Sequence, residues 1–334
     1  MDLGYNRRLY LLAFDHRASF SRDLFRTSGT PTHEQLAQIA DAKAVIFDGF
    51  LQALVMGAPD AAAGVLVDEH YGSSVALSAR DRGVLLAMPV EASGQKQFSL
   101  EYGDEFGAHI ERFDPDLVKV LVRYNPADSE TNAGQVHRLS ALSTWLQKHR
   151  RKFLFELLVP ATPEQLESVG GDADRYDREL RPDLLLKTIA ELQNGGVEPD
   201  IWKIEGLDRA QDCERVVAQA RRGGREGVSC IVLGRGASQS RVANWLRVAA
   251  PVDWFPRLCG RSIYLVRTAR CVPGRSATAG CISTNRSRLP GVDPGIRIGR
   301  RDRGWKRPLG EPSIFVRPAS HPPNTRYEPT TVTS

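Results

Sequence analysis

The chain has 334 residues, 41% of them apolar, which is enough for one large domain or two ordinary ones. No stretch approaches the roughly 20 apolar residues that span a membrane, and five cysteines with no CxxC and no His–Cys ligand spacing argue against a zinc site or a disulfide framework. The net charge of +5 conceals two compositions: residues 254–334 hold 14 Arg and one Lys against four acids, while residues 1–253 hold 30 basic and 36 acidic residues. The opening stretch MDLGYNRRLYLLAFDH runs straight into a strand-like segment and lacks the small-residue cleavage site of a secretory signal, so a cytoplasmic location is expected.

From the N-terminus onward, short apolar runs alternate with amphipathic stretches. The runs, rich in Val, Ile and Leu, are Leu9–Phe14, Ala63–Val67, Val84–Val90, Leu117–Val122, Phe153–Val159, Ile201–Ile204 and Ser229–Leu233. Helical spacing marks Glu34–Met56, Ala133–His149, Leu180–Asn194, Ala210–Arg222 and Gln239–Ala249. The pairs Gly195-Gly196 and Gly223-Gly224 act as helix stops. Strand and helix repeated, with continuously apolar strands, means a parallel sheet covered by helices. Seven such units over about 240 residues approach a (β/α)8 TIM barrel, for which about 250 is typical. An open doubly wound sheet is the competitor, but no G-x-G-x-x-G follows the first strand.

The eighth strand is expected to be lost or garbled after residue 253. The last 81 residues hold half of the 20 prolines and three of the five cysteines, and show no sustained period of 2 or 3.6. One reading is a disordered basic tail. A sharper one comes from codon degeneracy. The stretch from Trp254 to Tyr264 can be encoded by DNA that, read one nucleotide later, gives GFPGFAVGRSI, a strand ending in Gly-Arg. A one-nucleotide frameshift near Asp253 is therefore expected, with residues 1–253 forming seven βα units and residues 254–334 a Pro- and Arg-rich tail read out of frame.

Charged residues interrupt the apolar runs at similar depth: Asp15, Glu69, Lys119, Arg123, Glu156, Lys203 and Arg235. Lys203 stands out, because lysine is almost never found mid-strand in a buried sheet without a task or a partner. Residues two apart share a face of a strand, so Lys119 and Arg123 point one way, as do Lys203 and Glu205. In a barrel the inward face near the strand C-termini is the active-site floor. A free lysine has a pKa of about 10.4; neighbouring cations and desolvation lower it and expose the lone pair for imine formation. Glu156 is the candidate proton shuttle for that chemistry. Asp15 is placed to orient the amine or to deprotonate a substrate hydroxyl. The bland alternative is a set of buried ion pairs, Lys203–Glu205 and Lys119–Glu156. For Gly234-Arg235-Gly236 the functional reading is a phosphate grip by a Gly-rich strand end, against a plain turn with a solvated arginine. His16 and His70 have only generic spacing for metal ligation, and a polar-lining role is preferred, with no metal or cofactor expected.

The motifs LYLLAFDHRASF, VLVDEHYG, DLVKVLVRYNP, FLFELLVPAT, DIWKIEGLD and CIVLGRGAS together resemble a bacterial domain often fused behind the sugar kinase 5-dehydro-2-deoxygluconokinase of myo-inositol catabolism. That domain in turn resembles the class I tagatose-1,6-bisphosphate aldolases. The resemblance covers about residues 8–253. It implies that Lys203 is the imine-forming lysine, with Asp15, Glu156 and Lys119 as its catalytic companions, and Arg123, Glu69 and Gly234–Gly236 as substrate or phosphate contacts. It implies cleavage of 2-deoxy-5-keto-gluconate 6-phosphate to dihydroxyacetone phosphate and malonate semialdehyde. The group's phosphate-binding Gly-Arg ends strand eight, the segment out of frame here, so this copy is expected to be impaired. The alternative is a non-catalytic sugar-phosphate-binding or regulatory barrel associated with a carbohydrate kinase. The expected partners are a small sugar phosphate and either a second copy of the chain or a separate sugar kinase. A nucleic-acid or membrane partner is not expected, since the basic tail has no helix, aromatic platform or repeated motif to organise contacts.

Overall fold

The computed structural model describes residues 2–26, 29–58, 62–234 and 236–252, and the backbone of 259–260. Eight parallel strands close a barrel in sequence order. They are β1 (Tyr10–Ala13), β2 (Ala63–Leu66), β3 (Leu85–Pro89), β4 (Leu117–Arg123), β5 (Lys152–Leu158), β6 (Ile201–Glu205), β7 (Ser229–Leu233) and β8 (Cys259–Gly260). Of the eighth strand two residues are described, and they pair with Leu11 and Leu12 of β1 and with Leu233 of β7. The rest of the tail lies outside the described residues. Among the described residues no helix is long and apolar enough to cross a membrane.

Among the described residues ten α-helices separate the strands. They are α1 (Ala18–Phe25), α2 (His33–Val55), α3 (Glu69–Asp81), α4 (Phe106–Phe113), α5 (Ser129–Lys148), α6 (Pro163–Ser168), α7 (Ala173–Arg175), α8 (Arg181–Asn194), α9 (Ala210–Ala220) and α10 (Gln239–Ala249). Their starts are set by short polar side chains that accept the orphan amides of the first turn. Thr32 and Thr162 form capping boxes with Gln35 and Gln165, and Asp68, Asp128 and Ser238 cap α3, α5 and α10. The stops written as glycine pairs sit where Gly196, Gly223 and Gly224 take positive φ.

Packing follows from the strand period of two. Outward residues such as Val118, Phe155, Trp202 and Val232 join the helices in a mantle of buried side chains. Inward residues at the N-terminal ends, Leu11, Leu66, Ala87, Leu117, Leu154, Ile201 and Ile231, fill the barrel as an apolar plug. One step further along the same faces, the inward positions become Lys119, Glu156 and Lys203. The plug is thus the floor of a polar layer at the C-terminal end.

Candidate active site

The polar layer opens into a cleft of about 300 Å³ whose lining includes Asp15, His16, Arg17, Arg22, Glu91, Lys119, Leu121, Arg123, Glu156 and Lys203. Sheet register builds its centre. Glu156 of β5 is paired directly with Lys203 of β6, and β4 runs on the other side of β5 with Leu121 opposite Glu156. The side chains of Lys119, Glu156 and Lys203 are 1%, 3% and 2% exposed, so their charges are compensated by one another rather than by water.

Lys203 Nζ donates to Glu156 Oε2 at 2.9 Å. The same oxygen lies 3.0 Å from Lys119 Nζ. Lys119 also donates to Asp15 Oδ2 at 2.8 Å and to Glu91 Oε1 at 2.9 Å. An ammonium has three N–H groups, and Lys119 meets three carboxylates, so it is held as a cation. Lys203 shares the Glu156 oxygen with that fixed charge, so the two amines are held side by side on one carboxylate. The chain of charges continues outward: Arg17 Nη2 reaches Glu91 Oε1 at 3.3 Å and its Nη1 reaches Glu101 Oε2 at 3.0 Å.

The three buried carboxyls are tuned apart. Burial alone would raise Asp15, but Lys119, His16 and Lys203 hold it well below the ordinary carboxylate range. Burial likewise acts to raise Glu156, and Lys119 and Lys203 outweigh it and bring it down to about 2. For Glu91 burial wins: Lys119 and Arg17 offset only part of the desolvation, and its carboxyl titrates above the usual value. Lys119 itself would be pulled down by burial, but Asp15, Glu156 and Glu91 push it above the ordinary lysine value.

The structure brings Asp15, Lys119, Glu156 and Lys203 together and places Arg123 at the exposed rim, where its Nη1 donates to the Gln95 carbonyl at 3.2 Å. Glu69 is not brought in. It opens α3 and is bound by His109 Nδ1 at 2.8 Å and by Arg112 Nη1 at 3.5 Å, away from the cleft lining. Gly234 follows β7 directly and accepts from the Ala237 amide at 2.9 Å, and Gly236 has φ +71°; neither lines the cleft. Arg235 between them lies outside the described residues. His70 stacks edge-on against Tyr71, whereas His16 lines the cleft. Glu205 Oε2 accepts the Val159 amide at 3.0 Å. Two residues escape the strand reading, Glu91 and Arg17. A signal for both was present: continuing the period of two past the strand ends gives Ala87, Pro89, Glu91 and Ala13, Asp15, Arg17.

Several solved structures are similar to parts of this chain. An archaeal fructose-1,6-bisphosphate aldolase, described with its catalytic Lys covalently bound to a carbinolamine intermediate, is 12% identical over 79% of this chain and 92% of its own, with a TM-score of 0.48. The fructose-bisphosphate aldolase of Slackia heliotrinireducens is 13% identical over 79% of this chain and 78% of its own, with a TM-score of 0.48. Hydroxymethylglutaryl-CoA lyase from Pseudomonas aeruginosa is 13% identical over 77% and 76%, with a TM-score of 0.42. No curated protein sequence matches. The protein-family comparison matches residues 4–283, most of the chain, and on that match the protein belongs to the family described as "Uncharacterized protein conserved in bacteria (DUF2090)".

Proposed function

We propose that this chain is a class I aldolase-type lyase in which Lys203 forms an imine with the ketone of a phosphorylated sugar acid. The observation that carries this reading is the amine of Lys203, buried in mid-strand at the cleft floor and 2.9 Å from Glu156 Oε2, with the cationic Lys119 on the same oxygen. Addition of the amine to a ketone gives a carbinolamine, whose loss of water needs a group that takes and returns protons within hydrogen-bond reach. Glu156 has that position. The iminium then draws electrons from the adjacent C–C bond. The sequence resemblance supports 2-deoxy-5-keto-gluconate 6-phosphate as the substrate, cleaved to dihydroxyacetone phosphate and malonate semialdehyde in carbohydrate catabolism in the cytoplasm.

The test is reductive trapping. Incubation with dihydroxyacetone phosphate and borohydride is expected to leave a mass adduct on the peptide carrying Lys203, and Lys203→Ala is expected to lose it. An adduct that survives the substitution, or no adduct in the wild-type chain, sinks the imine mechanism and leaves a non-catalytic sugar-phosphate-binding barrel in its place.

A further inference from the structure

We infer that Glu91, the first residue past Val90 at the end of the third strand, is the base that takes the proton of the substrate hydroxyl during C–C cleavage. The inference rests on the aldolase reading and adds to it a residue and a step. Any aldol cleavage needs two things: an electron sink at the former ketone carbon, and a base for the hydroxyl on the carbon that becomes the aldehyde. Lys203 supplies the first. The second must sit one fragment away from Lys203, not beside it.

Glu91 has that position. Around the barrel wall the order is Lys203, Glu156, Lys119, Glu91, each joined to the next by a contact of 2.9, 3.0 and 2.9 Å. Two side chains, Glu156 and Lys119, thus stand between the Lys203 amine and Glu91 along the wall of one cleft, an arrangement that suits Glu91 to the fragment not held on the lysine. Glu91 is 5% exposed and lines the cleft. Its backbone is fixed by a bridge to Leu100 and by the Glu101 amide on the Val90 carbonyl at 2.9 Å. One carboxyl oxygen, Oε1, takes both Lys119 and Arg17, and the other, Oε2, is buried with no hydrogen-bond partner among the described residues. A buried carboxyl oxygen without a donor costs stability, and a substrate hydroxyl supplies the missing donor.

The other carboxyls of the cluster suit the step less well. Asp15 and Glu156 are held ionised, Glu156 at about 2, by Lys119 and Lys203 together, and Glu156 is already committed to the carbinolamine step at the Lys203 amine. Glu91 is raised, and a base works best when its pKa approaches the working pH. In the step, the hydroxyl proton passes to Glu91 Oε2 and the C–O bond becomes the aldehyde carbonyl. The C–C bond breaks and its electron pair forms the enamine, neutralising the iminium nitrogen of Lys203. In the reverse direction the same proton returns to the new alkoxide.

The experiment separates imine formation from cleavage. Wild type, Glu91→Gln and Glu91→Asp are compared for borohydride trapping with dihydroxyacetone phosphate, and for cleavage of 2-deoxy-5-keto-gluconate 6-phosphate, fructose 1,6-bisphosphate and tagatose 1,6-bisphosphate. The expected result for Glu91→Gln is trapping within about twofold of wild type and cleavage slowed about a hundredfold or more, with partial recovery in Glu91→Asp. Cleavage by Glu91→Gln within threefold of wild type would overturn the assignment, as would a parallel loss of trapping and cleavage, which would place Glu91 behind Lys119 and not on the substrate. A wild type that traps the ketone but cleaves none of the three aldols also overturns it. A wild type that traps nothing overturns the aldolase reading itself and this assignment with it.

Discussion

Lys119 meets Asp15, Glu91 and Glu156 within 3.0 Å, and this hub fixes how the site answers to pH. Glu156 titrates at about 2 in the folded chain against an ordinary value of 4.5. Its depressed pKa therefore contributes stability that is fully present above the ordinary carboxylate range and is lost as pH falls toward about 2. Asp15 acts in the same sense. Glu91 acts in the opposite sense: its folded value is raised, so its contribution is complete below the unfolded value and is lost as pH rises through the raised one. Because two of the three carboxyls are depressed, the cluster as a whole weakens in acid. Glu156→Gln is expected to flatten the fall of the urea midpoint between about pH 5 and pH 2, since it removes one of the two groups that drive it. A midpoint that falls as steeply in the variant as in wild type would show that the acid limb comes from groups outside the cleft. A buried ion cluster is weak evidence for stability in itself, and here its arrangement around an amine is the more telling property.

At the scale of elements, β6 owes its placement to contacts beyond its ends. Asp200, just before it, accepts the amides of Gly4 and Phe153 at 2.7 and 2.8 Å and the amine of Lys152 at 2.7 Å. Just after it, Arg181 at the start of α8 donates Nη2 to the Gly206 carbonyl at 2.7 Å and Nε to Asp177 at 2.9 Å. Gly206 passes so close to Trp245 of α10 that an added Cβ would lie 2.0 Å from the indole ring. Gly206→Ala is therefore expected to cost about 1–3 kcal/mol by overpacking and to slow imine trapping, because Lys203 lies three residues upstream on the same strand. An unchanged denaturation midpoint would mean that Trp245, anchored by its Nε1 to Asp208 Oδ1 at 2.7 Å, moves aside freely. The strands and the longer helices were legible because burial on both faces leaves unbroken apolar runs, and because the charges at Lys119, Glu156 and Lys203 break them in phase. α3 was not legible. Only Val67 and Asp68 separate β2 from it, so Glu69, which reads as a strand-end charge, belongs to a first helical turn, where the dipole favours an acid. Glu91 and Arg17 were missed because the apolar signal stops before them while the inward alternation does not.

On the scale of the whole molecule, eight strands close the ring, seven of them four to seven residues long. A lost or garbled eighth strand is what the change of composition near Asp253 leads one to expect, yet Cys259 and Gly260 pair with β1 and β7 in its place. We propose that the change of composition itself reflects a frameshift near codon 253. Removing one nucleotide there is expected to raise the urea midpoint and to strengthen protection by inorganic phosphate, since a strand ending in Gly-Arg would be regained. A restored chain no more stable than this one, and no better protected by phosphate, would leave the tail as genuine coding sequence. The seam has its own consequence. β1 is held on one side by four paired residues of β2 and on the other by two residues of β8, and it leads directly into Asp15 and Arg17. Because Asp15 follows β1 directly and grips Lys119, any motion that lifts β1 out of the ring also withdraws a carboxylate from the amine, so closure of the barrel and the electrostatic clamp are one event.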